Sequence, residues 1–430
     1  MTEQINPSPP GEGKPLPAGL PHVAYVLLWY PLFTQPFIFR EVEGLKEHLP
    51  LTVYSLYARN LRHCSTEMRA AADSVRTFVI IAAPLFALEL LRQLLTHPLR
   101  LCRLFRRSLF RRWRSLETFG ENLWAFGAGL YLGRRFREDG IDMVHAPWPR
   151  GATTAAWVAA DIAGVPFSTS ARGDNLEPAD PDLADKLSAA LFVRANNAAD
   201  QARIEAFDHS RARGKVALVY NSLTFTERTE CALPMRPPYR LLAVGRFART
   251  KGFPELLTAM ARLRREQVPV RLTLVGDGGW RRKLTALRRR LRLTGCVDMP
   301  GFLPHDRLRE FMQNHDMLVV PSVVHSNGDR DGIPNVIMEA LSHRMPVVAT
   351  DVCGISEVIR DGETGLLVPQ RDPRALAQAV RRMLEDREQA LRMAEAGRAL
   401  VEQMFDRDTN ITALRDLYLS ADRFRPAKQG

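Results

Sequence analysis

The sequence predicts an α/β protein built from two doubly wound parallel sheets. Short apolar runs such as "HVAYVLLWY" (22–30) alternate with longer stretches of helical periodicity, and strands that alternate with helices form parallel sheets covered on both faces. The pattern restarts at "RLLAVGRF" (240–247), after a polar and proline-rich interval. A chain of 430 residues is too long for one ordinary domain. We therefore predict two domains, with ligands bound beyond the carboxyl ends of their strands.

The predicted strands follow one another along each half of the chain. The first half has six apolar runs of strand length, at 22–30, 51–57, 141–148, 165–172, 189–196 and 216–222. The second half has five, at 240–247, 270–278, 297–302, 316–322 and 346–350. The resulting organisation is a flexible Pro/Gly-rich tail (1–21), a first domain (22–223), a linker (224–238) and a second domain (239–404).

Composition limits the possible partners and the compartment. The formal net charge is +12, and only seven residues are lysine, so arginine supplies most of the basic charge. A basic surface suits phosphate-bearing ligands, anionic lipid or nucleic acid, and no recognised nucleic-acid motif supports the last of these. The five cysteines are scattered and form no C-x-x-C pair, which argues for a reducing compartment without a disulfide framework or zinc site. No signal peptide or membrane-spanning run is recognisable, so we predict a cytoplasmic protein.

Two glycine-containing strand ends carry candidate phosphate contacts in the second half. In "VGRFARTKGF" (244–253), Gly245 permits close approach of a ligand to the backbone, and Arg246 and Lys251 place two cations nearby. In "LVGDGG" (274–279), Gly276 and Asp277 again follow a strand. Taken alone, the first motif is more simply explained by two solvated surface cations, and the second equally well by an ordinary strand-to-helix turn.

The stretch "GDRDGIPNVIMEALS" (328–342) combines two acids with a helix start. Pro334 suits the first position of a helix, and the free N–H groups of a helix N-terminus bind anions. Asp331 lies just before that start, and Glu339 lies eight residues further on. Asp329 and Asp331 could alternatively be a carboxylate pair that holds a metal ion.

Together these motifs resemble the retaining glycosyltransferases of the two-domain GT-B fold. The resemblance is to the large family that contains sucrose synthases and mannosyltransferases, and "GDRDGIPNV" is similar to its colanic-acid and exopolysaccharide subgroup. It covers nearly all of the second half, through "GISEVIRDGETGLLVP" (354–369). It implies that a C-terminal helix (405–424) returns to the first domain.

The resemblance implies a donor site for a UDP-sugar or GDP-sugar, with no other cofactor. Arg246 and Lys251 would bind the diphosphate, Glu339 the ribose, and Asp331 the sugar, at a position where the family usually has Glu. It also implies that Asp329 is a loop residue and that no metal is needed, because GT-B enzymes stabilise the leaving group with cations and a helix end. The implied donor-binding residues are Gly245, Arg246, Lys251, Gly276, Asp277, Phe302, Gly332, Ile333, Pro334, Asn335 and Glu339.

On the acceptor side the resemblance implies roles for Thr34, Gln35 and His145. Thr34 is equally well explained as a helix cap, and His145 as a hydrogen-bonded histidine at a strand end. "STSARGDNLEP" (168–178) has Arg172 where the subgroup commonly has His. Arginine donates hydrogen bonds but cannot act as a base. We assign Asp331 and Arg172 to the reacting sugar, and no general base.

Residues 99–116 predict a basic amphipathic helix. Arg100, Arg103, Arg107, Arg111 and Arg114 recur at steps of three and four, opposite Leu101, Cys102, Phe105, Leu109, Trp113 and Leu116. Such a helix can lie on anionic lipid on the inner face of the cytoplasmic membrane. Alternatively, it packs on the first sheet with its charges in water.

The function predicted from the sequence is transfer of a sugar, with retention, to a lipid-linked oligosaccharide or exopolysaccharide precursor. The alternatives are a GT-B nucleotide-sugar epimerase, and a non-catalytic relative that senses sugar nucleotides or assists assembly at a membrane.

Overall fold

The computed structural model describes residues 16–57, 61, 64–77, 83–110, 115–172, 180–207, 214–225 and 236–420. The first fifteen residues of the predicted tail, residues 226–235 of the predicted linker, and 421–424 of the predicted final helix lie outside this range. Within the described residues, no helix combines the length and apolar character that a membrane crossing requires.

The described residues of the first half form one seven-stranded parallel sheet, in the order β3-β2-β1-β4-β5-β6-β7. The six predicted strands are present, with shorter bounds, and β3 is an edge strand too short for a pattern to reveal. The strands are β1 Val23–Leu27, β2 Leu51–Ser55, β3 Arg76–Thr77, β4 Met143–Ala146, β5 Phe167–Ala171, β6 Val193–Ala195 and β7 Val216–Leu218.

Eight helices of the described residues belong to the first half. Several begin at residues that suit a helix start: α1 and α4 have proline in their first turn, and the Ser115 side chain caps α5. They are α1 Pro36–Lys46, α2 Thr66–Ala71, α3 Ala83–Thr96, α4 Pro98–Ser108, α5 Leu116–Glu138, α6 Gly151–Ala163, α7 Leu183–Ala189 and α8 Ala198–Phe207.

The second half forms a six-stranded parallel sheet, in the order β10-β9-β8-β11-β12-β13. The five predicted strands are present, and the three-residue β13 was not predicted. The strands are β8 Tyr239–Val244, β9 Val270–Val275, β10 Val297–Gly301, β11 Met317–Val320, β12 Val347–Thr350 and β13 Leu366–Val368. Their helices are α9 Phe253–Arg265, α10 Arg281–Arg290, α11 His305–Gln313, α12 Asn335–Ser342, α13 Ile355–Val358, α14 Pro373–Glu385 and α15 Arg387–Phe405.

The last described helix, α16 (Arg407–Leu419), returns to the first domain. Ile411, Leu414 and Tyr418 are buried in the same apolar cluster as Val23 and Leu45 of that domain. Burial of these side chains stabilises the packing of α16 on the first domain by roughly 1.5–3 kcal/mol each. The fold is therefore the predicted α/β architecture of two Rossmann-like domains, with α16, which follows the second domain, packed on the first.

The predicted basic helix over 99–116 is wrong in its extent. Helix α4 ends at Ser108 and α5 begins at Leu116; Arg111, Trp113 and Arg114 lie outside the described residues. Leu101 and Leu109 pack in a small buried cluster against α5 and α6, whereas Phe105 is 45% exposed. The arginines of α4 are not confined to a free face, because Arg100 and Arg103 pair with Asp161, and Arg107 with Asp185.

Candidate functional site

Lys251 and Asp331 form an ion pair at the edge of the second sheet. Lys251 ends a single helical turn after β8, and Asp331 lies in the loop between β11 and α12. Lys251 Nζ lies 2.9 Å from Asp331 Oδ2, and Ser322 Oγ donates a hydrogen bond of 3.2 Å to the same oxygen. Both charged side chains are about one-fifth exposed (20% and 19%), so the pair is accessible to a ligand.

Glycines allow the ends of β8 and β9 to approach each other closely. Gly276 has φ +142°, and a Cβ on this residue would lie 1.9 Å from the carbonyl oxygen of Gly245. A Cβ on Gly245 would in turn lie 3.3 Å from the Lys251 stem. The predicted residues Gly245, Gly276 and Lys251 are therefore in mutual contact, and a side chain would not fit between the two strand ends.

Arg246 and Asp277 lie on the solvent side of this strand edge. Both are exposed. Asp277 Oδ1 accepts a hydrogen bond of 2.7 Å from the Gly278 N–H, and Arg281 pairs with its other oxygen. The geometry of Asp277 is that of a strand-to-helix turn, whereas the exposed guanidinium of Arg246 can reach a ligand.

Helix α12 begins at Asn335, one residue later than predicted, and Pro334 is its N-cap residue. A shift of one residue is within the usual uncertainty of a helix end. Asn335 Oδ1 accepts a hydrogen bond of 3.2 Å from Asn221 Nδ2. Glu339 lies one turn further along, and its Oε1 is 3.5 Å from Nη2 of Arg40 on α1. The helix start and Glu339 thus both face the first domain.

The loop before α12 is also packed against the first domain. A Cβ on Gly332 would lie 3.1 Å from Asn197 Nδ2, and Ile333 is buried. Phe302, which follows β10, contacts Phe33 of the first domain edge-on, with ring centroids 4.7 Å apart. The predicted donor residues therefore line a surface that the β1–α1 segment and the start of α8 close from the opposite side.

Asp329 lies in a turn beside the ion pair. Its backbone N–H donates to Asn327 Oδ1 at 3.1 Å, and its carbonyl accepts from the His325 N–H at 2.8 Å. Within the described ranges, no group of three or more His, Cys, Asp or Glu side chains is arranged to hold a metal ion.

Thr34 and Gln35 lie at the start of α1, on the first-domain side. Thr34 is exposed, and the helix begins at Pro36 with Gln35 as its N-cap residue. The N-cap makes no side-chain hydrogen bond, so the capping interpretation of Thr34 is wrong. Both side chains remain available at the domain edge that carries Phe33.

Arg172 follows β5 and is 3% exposed. Its Nη1 donates to Asn221 Oδ1 at 2.8 Å and its Nη2 to Glu41 Oε2 at 3.1 Å. Nε is buried without a hydrogen-bond acceptor among the described residues. Phe37 and Trp148 flank the guanidinium at 5.2 and 5.5 Å from their ring centroids. The side chain is thus held rigidly, with one donor left unused.

Glu41 is shared by two buried arginines. Arg194 donates to the same Oε2 that Arg172 contacts. Burial alone would raise the pKa of Glu41, but the guanidinium groups of Arg194 and Arg172 outweigh it and lower this pKa to about 2. The carboxylate therefore stays ionised and fixes both arginines beneath the cleft.

His145 is fully buried in β4. Its Nδ1 lies 2.8 Å from Ser168 Oγ and its Nε2 lies 3.1 Å from Ser170 Oγ. Burial lowers the pKa of this imidazole to about 3, so it is neutral at ordinary pH. Its environment is that of a hydrogen-bonded histidine inside the sheet, which is the alternative that the sequence offered to an acceptor-side role.

Sequence reasoning missed the first-domain residues that meet this site. Arg40, Phe33 and Asn197 contact Glu339, Phe302 and Gly332 across the domain boundary. Their partners lie more than a hundred residues away along the chain, and no local motif marks them. The hydrophobic "PFIF" preceding Arg40 predicts a helix but gives no hint of its ion pair.

Comparison with known proteins finds relatives of the second domain. The family described as glycosyl transferases group 1 matches residues 232–400. The WcaL protein of Salmonella typhimurium strain LT2, whose name assigns it to colanic acid biosynthesis, is 35% identical over 153 residues, which are 36% of this chain and 37% of WcaL. The amylovoran biosynthesis glycosyltransferase AmsK of Erwinia amylovora is 30% identical over 172 residues, 40% of this chain and 42% of AmsK. Both matches span less than half of the relative's length.

The whole chain is similar in structure to Alr3699/HepE of Anabaena, solved in complex with UDP-glucose. The superposition has a TM-score of 0.69 and covers 93% of this chain and 100% of HepE, at 19% sequence identity. Such a likeness shows the fold. Residues 232–400 therefore match the group 1 glycosyltransferase family model, within a chain that has the two-domain GT-B fold.

Proposed function

We propose that this protein transfers a sugar from a nucleotide-diphosphate sugar to a saccharide acceptor. The observation that carries the proposal is the contact of Lys251 with Gly245 and with Asp331. Gly245 and Lys251 follow β8, Asp331 follows β11, and the three residues meet beside the start of α12. A cation, an exposed backbone and a helix N-terminus in one place suit a diphosphate.

The donor would replace contacts that the side chains make with one another in this structure. Lys251 and Arg246 would bind the diphosphate together with the amides after Gly332, Asp331 would bind the sugar, and Glu339 the ribose hydroxyls. Lys251 pairs with Asp331, and Glu339 pairs with Arg40. These pairs are partly exposed, so a ligand can reach them and provide replacement contacts.

We propose that the reaction retains the anomeric configuration and needs no metal ion. Asp331 and Arg172 would act at the reacting sugar. Arginine cannot accept a proton, so Arg172 would contribute charge and its unused Nε–H. Fixed cations and helix N–H groups would stabilise the departing diphosphate electrostatically. No side chain is assigned as a general base, because His145 is buried among serines.

The acceptor we propose is a lipid-linked oligosaccharide or an exopolysaccharide precursor. The names of WcaL and AmsK tie those relatives to colanic acid and amylovoran biosynthesis, and both are similar to this chain over part of its length. Thr34 and Gln35, at the edge of the first domain, would face the acceptor. We further propose a cytoplasmic protein that contacts the inner membrane surface through residues 99–116, where Leu99 and Phe110 are 86% and 76% exposed.

The activity is tested by measuring the release of nucleotide from UDP-sugars and GDP-sugars. Phosphorus NMR monitors this release with and without a chelator. Asp331→Asn should reduce release by at least tenfold, whereas Asp329→Asn, a matched change two residues away, should leave it within about twofold. Proton NMR of the product reports the anomeric configuration. Equal losses in both variants together with strict magnesium dependence would contradict the proposal and support a metal-binding carboxylate pair. Nucleotide binding without turnover would support a non-catalytic relative.

A further inference from the structure

Helix α3 buries the polar residues Glu89 and Gln93 and presents its leucines to solvent. Glu89 and Gln93 are each 3% exposed, whereas Leu88, Leu91 and Leu95 are 59%, 52% and 75% exposed. A surface helix of a globular protein normally has the opposite arrangement. The described part of α3 is therefore inverted with respect to a water-facing helix.

Contacts with neighbouring groups fix this orientation. Phe86 packs on Trp124 of α5, with ring centroids 4.9 Å apart. On the same side of α3, Gln93 Nε2 donates to Glu89 Oε1 at 2.8 Å, and Arg92 Nη1 lies 3.7 Å from Glu89 Oε2. Rotating the helix to bury its leucines would break the aromatic contact and expose Gly127 of α5, against which Phe86 also rests.

The exposed leucines span a wide arc of α3. At 3.6 residues per turn, the arc from Leu90 to Leu85 covers about 220° of the helix circumference. A dimeric coiled coil uses a much narrower seam, whereas a helix lying in a lipid interface buries a broad apolar face. The residues of this leucine face are Leu85, Leu88, Leu90, Leu91, Leu94 and Leu95.

The charge around the leucine face is mainly positive. Between residues 84 and 110 the only acid is Glu89, which is buried. Five arginines lie in the same stretch, and the side chains of Arg92 and Arg103 are 50% and 56% exposed. Asp161 and Asp185 pair with three of these arginines, but the arginines outnumber the carboxylates. A surface that combines exposed leucines with an excess of arginine complements an anionic lipid headgroup layer. The five are Arg92, Arg100, Arg103, Arg106 and Arg107.

We propose that the leucine face of α3 is a docking surface for an anionic bilayer, with the leucines at the acyl boundary and the arginines among the headgroups. Leu99, Phe105 and Phe110, on or beside the next helix α4, are also exposed. The inference deepens the membrane contact proposed for residues 99–116 by assigning the inserting element to a different helix. It does not depend on sugar transfer.

Flotation of the full chain with vesicles tests the docking surface. With vesicles of phosphatidylcholine and phosphatidylglycerol the wild-type protein should float, and the triple variant Leu88→Glu, Leu91→Glu, Leu95→Glu should bind at least tenfold less. Leu419→Glu changes a leucine of α16 that is 45% exposed, and should bind like the wild type. Vesicles of phosphatidylcholine alone should bind the wild type more weakly.

Three results would overturn the proposal. They are absence of wild-type flotation, unchanged flotation of the triple variant, and equal binding to neutral and anionic vesicles. Light scattering tests the alternative that a second copy of the chain covers the leucine face. A wild-type dimer that dissociates in the triple variant would support this alternative. UDP and GDP binding, measured on the same variants, should be unchanged, so loss of lipid binding is distinguishable from failure of the donor site.

Discussion

At the scale of single residues, the site is organised by charge pairs that a ligand can exchange. Lys251 pairs with Asp331, and Glu339 pairs with Arg40. Of these residues, all but Arg40 were predicted from the sequence to contact the donor. Both pairs are partly exposed, whereas the pairs of Glu41 with Arg172 and Arg194 are buried. The exchangeable pairs line the cleft, and the buried ones hold its floor rigid.

Buried His145 predicts a pH dependence of stability. Its folded pKa of about 3 lies below the ordinary value of 6.5, so between these pH values the unfolded chain binds a proton that the folded protein does not. The free energy of unfolding should therefore fall as pH drops from about 6.5 towards 3, by up to about 1.4 kcal/mol per pH unit. Urea denaturation at several pH values measures this slope.

The variant His145→Asn provides the control. Its slope should be smaller by about 1.4 kcal/mol per pH unit between roughly pH 6.5 and 4.5. Below that range Glu41 adds a loss of the same sign, because its folded pKa is about 2 against an ordinary 4.5. An identical slope in the variant and the wild type would show that His145 is protonated in the folded protein.

Much of the second-domain side of the candidate site could be predicted from the sequence, and little of its first-domain side. Lys251, Asp331 and Glu339 lie in short motifs. Each motif contains a strand end or a helix start, so the positions of these residues follow from local sequence. The buried state of Arg172 and His145 depends on α1, β5 and β6 packing together, which no short motif encodes. The contacts of Arg40 and Phe33 join residues separated by more than 250 positions.

At the scale of elements, glycines fix how the second sheet presents its strand ends. Gly252 ends the turn that carries Lys251, has φ +61°, and would place a Cβ 1.7 Å from the carbonyl oxygen of Pro321. The strand alternation predicted the β8–α9 connection, but only the close approach of β11 explains why this residue is glycine.

Gly252→Ala should destabilise the protein severely. A left-handed φ and a backbone clash together should cost at least about 2–3 kcal/mol. Gly295→Ala is the control, because a Cβ on Gly295 would meet no atom within 4 Å. Chemical denaturation measures the free energy of unfolding of both variants. A loss for Gly252→Ala no larger than that for Gly295→Ala would mean that β11 does not pack here as described.

The helical pattern of residues 99–116 shows where sequence periodicity fails. The arginine spacing predicted one long helix, but Leu109 turns inward beside Leu104 and the helix stops at Ser108. Burial of these leucines competes with continuation of the helix, and tertiary packing decides the outcome. Conversely, no pattern in α3 indicated that its leucines would face outward.

At the scale of the whole molecule, Glu357 links the two domains. It lies in α13 of the second domain, and its carboxylate accepts hydrogen bonds of 3.0 Å from the N–H groups of Ala198 and Ala199, at the start of α8 in the first domain. Tyr220 Oη donates to it at 2.9 Å. A carboxylate at a helix N-terminus is stabilised by the free N–H groups and the helix dipole.

Glu357→Gln should weaken the domain contact without disturbing either core. Loss of the charge should lower the free energy of unfolding by about 0.5–2 kcal/mol. It should also broaden the distribution of domain orientations seen by small-angle X-ray scattering. Glu363→Gln, an exposed glutamate of the same domain, is the matched control. Stability and scattering equal to those of the control would show that Glu357 does not hold the domains together.

Calorimetric titration with UDP and with GDP measures whether the strand edge around Lys251 binds a nucleoside diphosphate. One nucleotide should bind with unchanged affinity in the presence of a chelator, and Lys251→Ala should weaken it at least tenfold. Lys283→Ala, which removes a cation stacked on Trp280 outside the cleft, should bind like the wild type. Failure to bind either nucleotide, or equal affinity in Lys251→Ala and Lys283→Ala, would contradict the account.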